Sequence, residues 1–564
     1  MAAADCIAPN HRQLLRGAAT ATALVSLLSL PVVARADEPA VPPDISRLVL
    51  DTGRPMVLAA ESDLVRFQIH GEYQGRFEHL QSFPLDVSAN VVNGHPRAAE
   101  DSLGQNDFYY HWLRITPRLQ IKDRFELVGQ LDVVTGLALG DVAHDTSSDQ
   151  TPRDERNGFS NVQPRWLYAQ VNTAVGVIRV GQQPSHWGMG ILANDGDHPS
   201  LFGDYRYGSI DERVLFATKP GGKESPITVA VAGDVVFRDA NARLTRGEKA
   251  LQGVLAAYYE QGPNQIGVYA VYRHQTHDRT SGSDLYPYAD TIDAGVLDVA
   301  GKFVAPLKRQ DALVFGSGEA AAIFGTTNAV RTLDQTRDGT KTALRSYGGA
   351  MQLGVVHLAH GSPGGNTPAL FGDLVAQIEL GYASGDADPN DGVERRFVFD
   401  PNHKVGLLLF DEVLRFQTAR ASSAAQDPLL QNGNRPTPGV DLLPSNGGVF
   451  GAQYINPTLI VRPRPWLDIK GGMVVAQTTA DVVDPYRLAT SGAAVNYRGG
   501  NPKRHDLGME LDVGTEARIP LDFGLVATIG AQAGLLLPGG ALANGAGEKM
   551  KAPWIAVGRA GFLF

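Results

Sequence analysis

Six polar side chains stand at every second position of one short stretch: Arg66, Gln68, His70, Glu72, Gln74 and Arg76. In an extended chain this spacing points them all the same way, so they build a wall rather than a cleft. The chemistry such a wall offers is electrostatic recognition of ions and dipolar solutes. The same alternation puts Arg114, Arg118, Glu126, Asp132, Arg179, Gln377, Glu379, Glu510, Asp512, Glu516 and Arg559 on the polar side of further stretches. The signs are mixed. Arginines gather in the first two stretches and in the last, and carboxylates gather just before the last. There is no nucleophile motif such as G-x-S-x-G, and His70 beside Glu72 is a catalytic candidate by composition only. These residues therefore nominate no enzyme.

Two clusters have the donor types of a metal site. Asp386, Asp388 and Asn390 alternate as the first ligands of a calcium loop do. The glycine, Gly392, comes one place late, and Phe397 stands where the closing glutamate belongs. The expectation is an ordinary acidic turn with no resident metal or cofactor. His186, Asp195, Asp197 and His198 could hold zinc, yet no helix or paired spacing brings them together. With Trp187 and Asn194, the residues His186, Asp195 and Asp197 fall in a loop that follows the strand-like run Val177–Gln183.

The elements that must position these groups are strands. Val65, Phe67, Ile69, Gly71, Tyr73, Gly75 and Phe77 are the apolar or small partners of the polar positions 66–78. Leu374–Tyr382, Asp506–Ala517 and Tyr110–Ile121 repeat the pattern. A soluble two-layer sheet could show it with its polar face in water. A membrane barrel shows it with the polar face toward a lumen and the apolar face toward lipid. Connections alternate short and long: 122–124, 173–176 and 462–465 are short, while 79–104, 183–209 and 385–448 are long. Counting strands gives 18, with 16 as the other even possibility, and barrels of that size enclose water. Aromatics at 108–112, 166–168, 258–259, 466 and 554 are expected to form interfacial girdles. The fold class is thus all-β: a transmembrane, antiparallel, up-and-down β-barrel over 64–564, with short periplasmic turns and long extracellular loops. Within 385–448 the apolar run Val405–Leu414 reads as a short helix folded into the lumen.

The ends of the chain agree. Arg12 and Arg16 precede the apolar stretch 17–30, and Ala34-Arg35-Ala36 offers a small-x-small cleavage site, so 1–36 reads as a secretory signal peptide. Residues 37–63 then form a periplasmic N-terminal segment, too short to be the plug of an energy-coupled receptor. Cys6, the one cysteine, lies before the apolar stretch, so neither disulfides nor lipidation are expected. Cleavage near Ala36 removes Arg12, Arg16, Arg35 and Asp5, which leaves 47 basic against 59 acidic residues and a net charge of −12 in place of −10. An acidic chain argues against nucleic acid as a partner. Mean hydropathy is −0.14, as expected when two unlike strand faces cancel.

The last stretch, Trp554–Phe564, alternates and ends on an aromatic residue. It resembles the C-terminal signal of bacterial outer-membrane barrels, which implies recognition of Phe564 by the barrel-assembly machinery and a setting of outer-membrane lipid and lipopolysaccharide. Val180-Gly181-Gln182-Gln183, Trp187-Gly188-Met189-Gly190, Ser209–Val214 and Gly381–Asp391 resemble motifs of the alginate-export type of outer-membrane channel. Gln182 stands where that family has arginine. The resemblance implies a pore narrowed by the third long loop, which holds His186, Trp187, Asn194, Asp195 and Asp197. The mixed inner charges do not match a polyuronate. The expected function is passive diffusion or export of small hydrophilic solutes or saccharides, with mild cation preference. A hydrolase at the barrel rim and a structural adhesin are the alternatives. Solute, direction and oligomeric state are left open by the sequence.

Overall fold

The structure, a computed structural model, describes residues 64–82, 107–140, 162–277, 290–307, 312–328, 338–357, 373–418 and 445–564 apart from gaps of one to three residues within them, together with a few short flanking pieces. Eighteen antiparallel strands close into one barrel. In chain order they are β1 (Val65–Gln81), β2 (Asp107–Ile121), β3 (Phe125–Gly140), β4 (Gln163–Asn172), β5 (Val177–Pro184), β6 (Ile210–Thr218), β7 (Ile227–Arg238), β8 (Glu248–Gln261) and β9 (Asn264–His277). The second half is β10 (Asp290–Pro306), β11 (Ala312–Thr327), β12 (Thr342–His357), β13 (Asp373–Ala383), β14 (Ala452–Arg464), β15 (Leu467–Thr478), β16 (Asp506–Pro520), β17 (Val526–Pro538) and β18 (Trp554–Leu563). Each strand pairs with its sequence neighbours. The seam closes where β18 meets β1, from Glu72↔Leu563 to Gln81↔Trp554.

Closure is completed by both ends of the chain. The Phe564 amide donates to Gly71 O at 3.0 Å, and the Gly71 amide donates to Phe564 O at 2.8 Å. Leu58–Glu61 folds back on β1 in register, Leu58↔Ile69 to Glu61↔Arg66, along the edge that β18 occupies further on. A closed sheet leaves no unpaired edge, the condition for strands in a medium without water.

The two faces differ as a lipid-facing wall requires. Val214, Leu255, Ile266, Tyr272, Phe324 and Val513 point outward and are more than half exposed. So broad an apolar surface would be untenable in water. The inward rows of the same strands carry the charged groups, among them Asp211, Arg213, Glu319, Glu510 and Asp512. No described helix is long and apolar enough to cross a membrane.

The expected aromatic girdle divides in two. Trp466, Trp554 and Tyr259 do face outward and are exposed. Phe108, Tyr110, Trp112 and Tyr168 are instead buried on the inner face. Strand alternation decides this, because neighbours two apart share a face and every second aromatic of such a run must turn inward.

Candidate functional site

In their described residues two long connections lie against the inner wall, one between β5 and β6 and one between β13 and β14. The first begins as a narrow hairpin. Ser185 N donates to Ser209 O at 2.9 Å, Trp187 N to Ala193 O at 3.0 Å and Ser209 N to Asn194 O at 2.6 Å. From this neck it reaches three parts of the wall. Trp187 stacks between Tyr258 and Tyr269, with ring centroids 5.2 and 5.1 Å away, and its Nε1–H donates to Asp298 Oδ1 at 3.1 Å. The amides of Met189 and Ile191 both donate to the Glu319 carboxylate on β11.

The loop then turns to the opposite side. Asp197 accepts from Arg114 Nη1 at 2.8 Å, and Arg114 also pairs with Asp132 at 2.8 Å. Arg165 Nη2 donates to Asp195 O at 2.5 Å. Further on, Asp204 pairs with Arg76 at 3.2 Å, Arg559 donates to Gly203 O, and Phe202 lies against Gly472 and Gly514. Gly208 permits the closest approach at the neck: a Cβ there would lie 1.8 Å from the carbonyl carbon of Asp195. Asp195 is buried, which by itself would raise its pKa. The hydrogen bond and charge of His198 outweigh burial and bring it down to about 2.

The second connection carries an apolar wedge. Phe397, Phe399, Leu407, Leu408, Leu409, Phe410, Val413 and Leu414 are buried in one cluster with wall residues Tyr454, Val474, Leu536 and Ile555. The expected short helix is present as a π-helical turn, Leu409–Leu414. Its start is held by Glu510, whose carboxylate accepts from the amides of Leu407, Leu408 and Leu409 at 2.5, 2.7 and 2.7 Å. His403 joins this loop to wall and first loop together. Its Nε2 lies 3.1 Å from Glu379 Oε1 and its Nδ1 lies 3.1 Å from Met189 O. Asp400 N also donates to Ile191 O at 2.7 Å. Tyr454 OH donates to Glu379 at 2.6 Å.

The wall residues nominated from the sequence therefore fall into two groups. Arg76, Arg114, Asp132, Glu379, Glu510, Asp512 and Arg559 lie beneath or against the loops, and Glu510 and Asp512 are almost wholly covered. Arg118 pairs with Glu126 at 2.9 Å while remaining half exposed. Arg179 donates to Gln170 at 2.7 Å and lies over the Tyr168 ring. Glu516 pairs with Arg518 at 2.6 Å. Arg66, Gln68, His70, Glu72 and Gln74 form a row opposite Gln120, Arg118, Thr116, Arg114 and Trp112, and Gln377 stands opposite Thr458 on β14.

The supposed calcium turn uses its own ligands. Asp386 accepts from the amides of Asp388 and Arg395 at 3.0 and 2.9 Å. Asn390 lies outside the described residues. Sequence reasoning missed Arg165, Asp298, Glu319 and His403, which dock the loops, and the buried group of Arg213 with Asp211 and Asp234 at 2.9 and 2.7 Å. A signal existed for Glu319. It is the lone charge of β11, and a single carboxylate among mostly apolar or small neighbours needs a partner.

No protein-family model matches the chain, and no curated protein sequence does. Solved structures of similar outline exist. Acinetobacter baumannii OccAB2 is 8% identical with a TM-score of 0.45, over 88% of this chain and 98% of its own. Pseudomonas aeruginosa OpdL is 8% identical with a TM-score of 0.44, over 88% and 98%. The outer membrane channel DcaP of Acinetobacter baumannii is 10% identical with a TM-score of 0.38, over 90% and 99%. At such identities and superpositions the likeness says nothing of solute or selectivity.

Proposed function

We propose that this chain is an outer-membrane channel through which small hydrophilic solutes, saccharides among them, diffuse. The observation that carries the reading is the sidedness of the closed 18-stranded wall, apolar outside and charged inside. A barrel of this strand number encloses more space than side chains alone fill, and a soluble protein has no need of an apolar outer belt. The two loops narrow that space and set its electrostatics.

Inner arginines Arg76, Arg114, Arg118, Arg213 and Arg518 all stand within ion-pair distance of carboxylates. Their positive charge is thus largely compensated, and the acidic surplus of the chain favours cations. The motifs resembling alginate-export-type channels support reading 185–209 as the narrowing loop. Gln182 in place of arginine, and an inner wall that is not basic, speak against a polyuronate. In this reading the signal peptide is removed near Ala36, and Phe564 guides assembly in a lipopolysaccharide-bearing membrane.

The test is planar-bilayer recording of the refolded mature chain under a salt gradient. Discrete ion-conducting steps with a reversal potential on the cation side are expected. A closed barrel that never conducts would overturn the channel reading, and a clear anion preference would overturn the selectivity.

A further inference from the structure

One cluster in the narrowing loop has metal-ligand chemistry beside the docking contacts described above. Among the described residues, His186, Asp195 and His198 are the one group of three or more metal-type ligands whose donor atoms converge, all within 4.8 Å of one another. His198 Nδ1 lies 2.9 Å and His186 Nδ1 4.0 Å from the same oxygen, Asp195 Oδ1. These separations bracket the roughly 3.4 Å that tetrahedral ligands about 2.1 Å from an ion keep from one another. The imidazole rings are stacked, with centroids 3.7 Å apart and planes 16° apart.

We propose that His186, Asp195 and His198 bind one divalent transition-metal ion of the zinc, copper or nickel class in the loop between β5 and β6. Three features make this more than a chance meeting of polar groups. The ligand types are right: two imidazoles and one carboxylate suit zinc, copper and nickel and are a poor match for calcium, which takes oxygen. The backbone is set beforehand, because His186 lies between the Ser185–Ser209 and Trp187–Ala193 rungs and Asp195 is held by Gly208 and Arg165. The site is also partly open. The His198 and His186 side chains are 38% and 23% accessible and Asp195 is 9% accessible. An ion held there keeps coordination positions for water or for a solute ligand, as open zinc sites do.

Binding follows simple chemistry. The metal takes the place of the proton between His198 Nδ1 and Asp195, and His186 swings toward the shared oxygen. Nearby carboxylates Asp132 and Asp197 compensate Arg114, so the pocket does not repel a cation. The occupied site ties residue 186 to residues 195 and 198 across the neck of the loop, and it adds positive charge to a loop that lines a cation-preferring pore. Zinc is therefore expected to lower conductance.

The experiment is calorimetric titration of zinc chloride into the chelator-treated, refolded full mature chain in detergent near neutral pH, alongside bilayer recording with zinc added. One zinc per chain with micromolar or tighter affinity is expected, together with reversible loss of current restored by chelator. His186→Ala with His198→Ala should abolish both the zinc binding and the zinc-dependent, chelator-reversible loss of current. Copper bound to the native chain should show two-imidazole nitrogen coupling in its electron paramagnetic spectrum. Absence of binding, or binding that survives in the double variant, would overturn the proposal. A chain that binds zinc but never conducts would instead overturn the channel reading, so the two failures can be told apart.

Discussion

The two loops inside the barrel are docked by one device and differ in the balance of forces that stabilises them. Each has a glycine at positive φ pressed on a wall glutamate: Gly188 (φ +57°) on Glu319 and Gly406 (φ +72°) on Glu510. A Cβ would lie 2.5 Å from the Glu319 carboxylate in the first case and 2.6 Å from that of Glu510 in the second. Past the glycine, loop amides turn toward the carboxylate, those of Met189 and Ile191 in the first loop and of Leu407, Leu408 and Leu409 in the second. Beyond that point the loops part. The first rests on ion pairs and hydrogen bonds to Arg76, Arg114, Arg165 and Asp298. The second rests on a buried apolar wedge from Phe397 to Leu414. The wall anchors an incoming backbone by charge, whatever the character of the rest of the loop. One loop thus brings charge into the lumen and the other fills it.

Removing each filling in turn gives the largest contrast. Replacing 399–449 by a short Gly-Ser bridge should raise single-channel conductance several-fold, because the wedge occupies volume. Shortening the first loop between Trp187 and Asp204 should raise it less and should change ion selectivity more. Equal conductance gains with unchanged reversal potentials would erase the distinction between a filling loop and a charge-bearing loop.

The next effect concerns the anchor. Glu510→Ala strips the acceptor from three buried amides, and charge-assisted bonds of this kind are worth about 1.5–3 kcal/mol each before compensation by water. With water entering the gap, a net loss of about 3 kcal/mol is expected. It should appear as frequent opening steps and as protease cutting near Arg415, in low and in molar salt alike. The apolar wedge is what makes salt irrelevant. Arg114→Ala in the first loop's anchor leaves Asp132 and Asp197 with one fewer partner, and its effect should grow at low salt. If the Glu510 variant shows the stronger salt dependence, the assignment of forces is reversed.

How far the sequence reaches follows from how local each feature is. The seven polar positions from Arg66 to Glu78 report their own strand, because period two is written within one segment. The short turn at 122–124 reports a hairpin for the same reason. The docking contacts are not local. Arg114 meets Asp197 83 residues away, and Glu510 meets Leu407 103 residues away. No pattern around either residue encodes the partner. The aromatic run Phe108–Trp112 shows a local rule misapplied: clustering suggested one girdle, whereas alternation sends 108, 110 and 112 into the lumen. His186 and His198 have no periodic link to Asp195. Only the hairpin rungs of the neck bring them together, so the sequence could name the donors but not their convergence.

The smallest expected effect is a dependence on pH, and it arises where the two loops touch. His403 is fully enclosed by Glu379 and Tyr454 of the wall, by Phe399 and Asp400 of its own loop, and by Met189 O of the first loop. Burial alone would lower its pKa. The charge and hydrogen bond of Glu379 outweigh burial and lift it above the ordinary histidine value of 6.5. A folded-state pKa above the unfolded one gives stabilisation that is complete below about pH 6.5 and is lost as pH rises through the raised value. Asp400 acts in the same sense: burial pushes its pKa up to about 7, so the docked loop holds its proton more tightly than the free loop does. The Asp400 contribution is lost between pH 3.8 and about pH 7, below the alkaline range, whereas that of His403 is lost above pH 6.5 and so sets the loosening in mildly alkaline solution. Opening events should therefore become more frequent from pH 6.5 upward, by roughly tenfold for each 1.4 kcal/mol of docking lost. In His403→Gln, which can still donate to Glu379 but cannot titrate, the rise above pH 7 should vanish. A rise that persists there would move the pH sensor elsewhere and leave the contact between the loops a passive one.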